Sequence, residues 1–74
     1  MSSPERITVD VNGKPVEVPS GAPVSGVLQV AGIPADRKGI AVALDGAVVP
    51  RSQWAETRVD PGAVLEVVTA TQGG

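Results

Sequence analysis

The chain has no cysteine and no histidine, and a single tryptophan, Trp54, is its only aromatic residue. Without cysteine there is no thiol nucleophile, no disulfide and no thiolate metal ligand; without histidine there is no imidazole ligand and no side chain that ordinarily titrates near neutral pH. No metal site and no self-contained catalytic centre are expected, and the chain is read as not an enzyme. Basic charge is also sparse: 6 Lys plus Arg stand against 8 Asp plus Glu, a net charge of −2. Arg6, Lys14, Arg37, Lys38, Arg51 and Arg58 are scattered rather than gathered, which argues against a nucleic-acid partner. No apolar run approaches the length that crosses a bilayer, and no basic-plus-apolar leader opens the chain, so no membrane partner and a cytoplasmic location are expected.

What is present is an apolar fraction of 42% in 74 residues. That is too much for general disorder and enough for one small domain over residues 1–74, with a thin core built from Val, Leu, Ile and Ala. Residues 1–5, "MSSPE", carry no apolar periodicity and read as a disordered start. "RITVDV" alternates, with Ile7, Val9 and Val11 on one face; Asn12-Gly13 is a strong hairpin signal, and "KPVEV" follows with Val16 and Val18 on one face. Pro15 puts this second strand at a sheet edge, where a missing N–H does no harm. The period then changes: Val24, Val27, Leu28 and Ala31 fall at i, i+3, i+4 and i+7, which predicts a short helix with Pro23 in its first turn and Gly32 just past its end.

"IAVAL" reads as a third strand, with Ile40, Val42 and Leu44 on one face and Ala41 and Ala43 on the other. Asp45-Gly46 is a turn, "AVV" a short fourth strand, and "RSQWAETRVD" an irregular stretch holding one helical turn over residues 52–55. After the Pro61-Gly62 turn, "AVLEVVT" predicts a last strand, with Leu65 and Val67 on one face and Glu66 on the other. A hairpin, one main helix and a closing strand make an α+β arrangement, a mixed sheet of about five strands with the helix on one face. With the last strand beside the first, the expected fold is the β-grasp, or ubiquitin-like, roll.

The sequence ends in Ala70, Thr71, Gln72, Gly73 and Gly74. One reading of residues 70–74 is a frayed end; the other is a flexible functional tail. An α-carboxylate is ionised at neutral pH, so its oxygen is able to attack the α-phosphate of ATP in a partner enzyme and form an acyl-adenylate. Two glycines lack the Cβ that would block a narrow channel, and five residues reach on the order of 17 Å. Attack on the adenylate by a partner's sulfur nucleophile leaves a terminal thiocarboxylate, an anion able to hand its sulfur onward.

Four other positions stand out as partner contacts, each with a plainer reading beside it. Trp54 is either a loop anchor burying apolar area or a partner contact. Arg51 either guides docking or solvates a loop. Ala41 and Ala43 form an apolar patch for a partner or sit beneath neighbouring elements, the second being the preferred reading. Asp60 and Glu66 resemble paired carboxylates only in number, and read as solvated turn and strand positions rather than an acid–base pair.

"GIAVALDGAVVPRSQW" together with "VLEVVTATQGG" resembles the ThiS family of thiamin-pathway sulfur carriers. The specific parts are Val49-Pro50-Arg51, Trp54 and Gly73-Gly74, within a resemblance that covers nearly all of the chain after its first few residues. The resemblance implies that an ATP-dependent activating enzyme of the ubiquitin-activating type adenylates Gly74, so that ATP is the partner's cofactor and none is bound by this chain. It implies that Gly73, Gln72 and Thr71 thread into that partner, and that sulfur comes from a cysteine-derived donor and passes to thiazole synthase. Three positions depart from the usual pattern: Asp45 where Asn is common, Pro23 where Thr is common, and Ala63 where an acidic residue is common, which removes a negative charge beside the final strand. Rival readings are a carrier for molybdopterin or cysteine synthesis, and a ubiquitin-like interaction module or modifier.

Overall fold

The computed structural model describes residues 5–34, 36 and 38–69. Among them run β1 (Arg6–Val11), β2 (Lys14–Pro19), α1 (Val24–Val30), β3 (Ile40–Leu44), β4 (Ala47–Val49) and β5 (Val64–Thr69), with a 3₁₀ turn over Arg51–Gln53 in the β4–β5 connection. The helical turn expected over residues 52–55 therefore sits earlier, because Pro50 opens it and Trp54 closes it. The strands form one sheet in the order β2-β1-β5-β3-β4. β1 and β2 are antiparallel, as are β3 and β4, while β5 runs parallel to β1 and antiparallel to β3. This is the β-grasp arrangement, with the closing strand in the middle of the sheet and β2 at the edge that Pro15 called for.

Local chemistry sets both hairpins. Asn12 and Gly13 have φ of 54° and 85°, and Asp45 and Gly46 have 49° and 89°. Two consecutive positive φ values make a type I′ turn, whose twist matches that of the paired strands; Asn, Asp and Gly adopt it with the least strain. The helix is short, and no side chain caps its N-terminus. Instead the Val24 N–H donates to the Thr57 carbonyl at 2.8 Å and the Ser25 N–H to the Trp54 carbonyl at 3.1 Å, so the β4–β5 connection satisfies donors that a helix start leaves open. At the other end Gly32 N–H bonds the Gln29 carbonyl and Ile33 N–H the Leu28 carbonyl, a Schellman closure. Pro23, expected in the first helical turn, is the residue just before it.

The core lies between α1 and one face of the sheet. Val24, Val27 and Leu28 from the helix meet Ile7, Val9, Val11, Val18, Ile40, Val42 and Leu65 from the strands, and Val49, Trp54, Val59 and Ala63 close the side. Ala63, where the usual pattern has an acidic residue, is 4% exposed, an interior position at which an apolar side chain costs nothing. Glu5, expected within a disordered start, is tied in, since its carbonyl accepts from Ser20 N–H at 2.9 Å. The rest of that stretch, residues 1–4, lies outside the described residues.

Leu65, near the start of β5, is fully buried. A Leu-to-Ala change at such a site costs about 2–5 kcal/mol, a large share of the total stability of a domain this small. Leu65→Ala is expected to lower the urea midpoint severely or to leave the protein unfolded at room temperature, as followed by Trp54 fluorescence.

Candidate functional site

The strand that leads to the end of the sequence is held on both flanks. On one side β3 pairs with β5 over its full length, from Leu44 opposite Leu65 to Ile40 opposite Thr69. On the other side Asp10 N–H donates to the Ala63 carbonyl at 2.8 Å and Asn12 N–H to the Leu65 carbonyl at 3.0 Å. The two hairpin turns add side-chain bonds. Val64 N–H donates to Asp45 Oδ1 at 2.9 Å while Asp45 N–H donates to the Val64 carbonyl at 2.8 Å, which fastens the start of β5. Asn12 Nδ2 donates to the Val67 carbonyl at 3.0 Å and Asn12 Oδ1 accepts from Val67 N–H at 2.8 Å. Asp45 and Asn12 read from sequence only as turn formers; strand pairing brings them onto β5, and nothing local in the chain signals it.

The face of the sheet away from α1 divides into two halves. Over β1 and β2 it is polar, with Thr8 opposite Glu17 and Asp10 next to them. Over β5, β3 and β4 it is apolar: Val64, Val68 and Val48 are 45%, 59% and 75% exposed, and register sets Val68 beside Ala41, Glu66 beside Ala43, and Ala43 beside Val48. The two small alanines leave a shallow depression of about 130 Å³ between Val48 and Val68, floored by Ala41 and Ala43 and rimmed by Glu66. The preferred expectation that neighbouring elements cover Ala41 and Ala43 is not what the fold shows, because their face carries no helix; Ala41 is exposed and Ala43 half-buried. A larger hollow, about 710 Å³, lies by α1 and is lined by residues such as Pro23, Gly26, Gln29 and Ile33, none of them on β5 or β3.

Trp54 and Arg51 separate into different roles. Trp54 is 3% exposed, and its indole Nε1–H donates to the Val49 carbonyl at 2.8 Å, so it anchors the β4–β5 connection; as a direct partner contact it is corrected, since almost none of its surface is open. Arg51 is exposed, and its guanidinium stacks on the Trp54 ring at 4.5 Å from the centroid. The tryptophan thus fixes where the arginine charge is presented, just past the end of β4. Glu66 and Asp60 are both exposed, on the open face and in the turn before β5. Among the described residues no acidic cluster is fit to hold a metal ion, and no helix is long and apolar enough to cross a membrane. Thr71, Gln72, Gly73 and Gly74 lie outside the described residues; the structure positions the strand from which they follow.

Against known proteins, the profile of the ThiS family matches residues 4–74. No curated protein matches. Among solved structures the chain is similar to the thiamine biosynthesis protein (ThiS) from Geobacter metallireducens, at 28% identity with a TM-score of 0.75, over 92% of this chain and 100% of that one.

Replacing Trp54 by Phe keeps a buried ring but deletes the indole donor. The Val49 carbonyl then loses a partner in a dry environment, a loss of about 1–3 kcal/mol. Urea unfolding followed by circular dichroism is expected to show that drop for Trp54→Phe, and a much smaller change for Arg51→Ala, whose side chain is exposed.

Proposed function

The chain belongs to the ThiS family, and from that premise we propose that it is a sulfur carrier of thiamin biosynthesis, a protein substrate whose reactive group is the carboxyl of Gly74. The observation that carries this reading is the setting of β5: a strand bonded on both flanks ends at Thr69, and only five residues separate it from that carboxyl. A root held this firmly lets a partner find the tip by docking on the folded domain.

The chemistry belongs to the partners. In an ATP-dependent activating enzyme of the ubiquitin-activating type, a carboxylate oxygen of Gly74 attacks the α-phosphorus of ATP, the bond to the β-phosphate oxygen breaks, and pyrophosphate leaves. A sulfur nucleophile fed by a cysteine-derived donor then attacks the acyl carbon, and AMP leaves with the oxygen it bonded. Where the nucleophile is a donor persulfide the product is an acyl disulfide; a partner thiol cleaves its S–S bond, forming a disulfide with the donor sulfur and releasing the Gly74 thiocarboxylate, which thiazole synthase consumes. This chain's own part is to present the tail and to dock. Gly73, Gln72 and Thr71 thread the partner's channel, and the apolar half of the open face, with Ala41, Ala43, Val48 and Val68 beside the root, is the natural docking surface. Arg51, held on Trp54 in the β4–β5 connection, offers a charge for orientation.

Intact-mass measurement after incubation with ATP, a cognate activating enzyme and a sulfur donor tests the reading. The expected result is replacement of one oxygen by sulfur at Gly74, and loss of that change when Gly73 and Gly74 are removed or when residues are added after Gly74. An adduct to a lysine of another protein that resists thiols points instead to a modifier, and full function without the two glycines points to a binding module. Either outcome overturns the carrier reading.

The docking surface has its own test. Val68→Glu places a charge on an exposed position, so stability is expected to stay within about 0.5 kcal/mol. Adenylation is expected to show KM raised on the order of tenfold with kcat little changed, the pattern of lost ground-state binding.

A further inference from the structure

We propose that Asn12 is a positioning residue for the tail: its carboxamide acts as one extra rung of the β1–β5 ladder and sets the direction in which β5 delivers residues 70–74. The proposal rests on the carrier reading for its consequence and on the hydrogen bonds alone for its geometry.

The parallel ladder between β1 and β5 needs β1 to continue if β5 is to be held past Leu65. It does not continue. β1 ends at Val11, and the chain turns away through Asn12 and Gly13 into β2, so the last backbone bond on that flank is from Asn12 N–H to the Leu65 carbonyl. The next β5 backbone groups facing that way belong to Val67. The Asn12 side chain takes both of them, donating from Nδ2 to the carbonyl and accepting at Oδ1 from the N–H, where a longer β1 would use the C=O of one peptide group and the N–H of another. Two residues later β5 ends at Thr69, bonded from the other flank by β3.

The residue type matters. A type I′ turn accepts Asn, Asp or Gly at this position with the backbone unchanged. Only Asn has a donor and an acceptor on one planar group. The second hairpin provides the comparison: Asp45 holds the same kind of turn, and there the carboxylate only accepts, while the donor to Val64 is the Asp45 backbone N–H. At Asn12 a carboxylate would set an oxygen against the Val67 carbonyl. A strand end held from one flank pivots more freely than one held from both. Over the roughly 17 Å reach of five residues, a pivot of about 10° moves the tip by about 3 Å, the scale at which in-line attack on a phosphorus is lost.

Asn12→Gly keeps the turn and removes the rung; Asn12→Asp keeps the turn and an acceptor but removes the donor. Amide hydrogen exchange is the first readout. In Asn12→Gly the Val67 amide is expected to exchange about tenfold faster, while the Val64 amide, fastened by Asp45, keeps its wild-type rate. Adenylation by a cognate activating enzyme is the second: in both variants kcat is expected to fall on the order of tenfold with KM within about twofold, because the docking face is untouched. Unchanged Val67 exchange in Asn12→Gly overturns the rung. Accelerated exchange with unchanged kcat overturns the positioning role, and a rise in KM alone does the same. Wild-type protein that is not adenylated at all overturns the carrier reading, and with it the delivery role, while the exchange measurement still decides the rung.

Discussion

Every long-range pairing in the sheet passes through β5. Without it the structure consists of two hairpins, β1–β2 and β3–β4, with no strand between them to share, and a seven-residue helix that has lost the middle of its platform. Neither a hairpin nor so short a helix is stable alone in water. The last strand of the chain is therefore the one that makes a single domain of the rest, and its insertion waits for elements that are more than fifty residues away in sequence, as the Asn12 to Val67 bonds illustrate. A consequence for function follows from the same fact: the segment that leads to the tail has the least freedom to move independently of the fold.

The open face shows how a thin domain keeps one side available. The helix covers one face of the sheet and consumes most of the branched aliphatic residues, leaving alternate positions to face outward. On β1 and β2 those positions hold Arg6, Thr8, Asp10 and Glu17 with Pro15 and Pro19, so this half carries the polar groups that solvent contact favours. On β5, β3 and β4 they are Val64, Val68, Ala41, Ala43 and Val48, with Glu66 the one charge among them, against the ordinary preference for polar residues on a solvated face. Such a patch lowers stability in isolation relative to a polar surface and raises affinity for anything that covers it. Its position beside the strand that ends at Thr69 ties the two features together.

Much of the fold was legible because the local signals agreed with the final pairing. Alternation in β1, β3 and β5, the two turn dipeptides, Pro15 at an edge and the 3.6-residue stripe of Val24, Val27 and Leu28 each named their element without help from tertiary context. The stretch between β4 and β5 was less readable, since Trp54 is anchored by a hydrogen bond and a burial that only the packed structure creates. The geometry that surrounds the root of the tail was not legible. Gly73-Gly74 stood out by position, whereas the clamps at Asn12 and Asp45 were hidden behind turn propensity, and the exposure of Ala41 depended on which sheet face the helix took. Small residues on a strand look the same in sequence whether they lie under a helix or under water.

The tail and the patch also have to be considered together in energy. On the carrier reading a partner fixes five residues of extended chain, at about 1–2 kcal/mol each in backbone entropy, so threading alone would oppose binding by roughly 5–10 kcal/mol. Glycine has no side chain with which to make contacts, and Ala70 and Thr71 offer little more. On the carrier reading the missing free energy has to come from the folded part, and the apolar half of the open face is the part able to supply it. Docking by the sheet then precedes threading, and a firm root matters because it makes the docked pose determine where the tip goes. On the same reading the catalytic groups belong to the partners, so this chain's contribution to rate is confined to that placement.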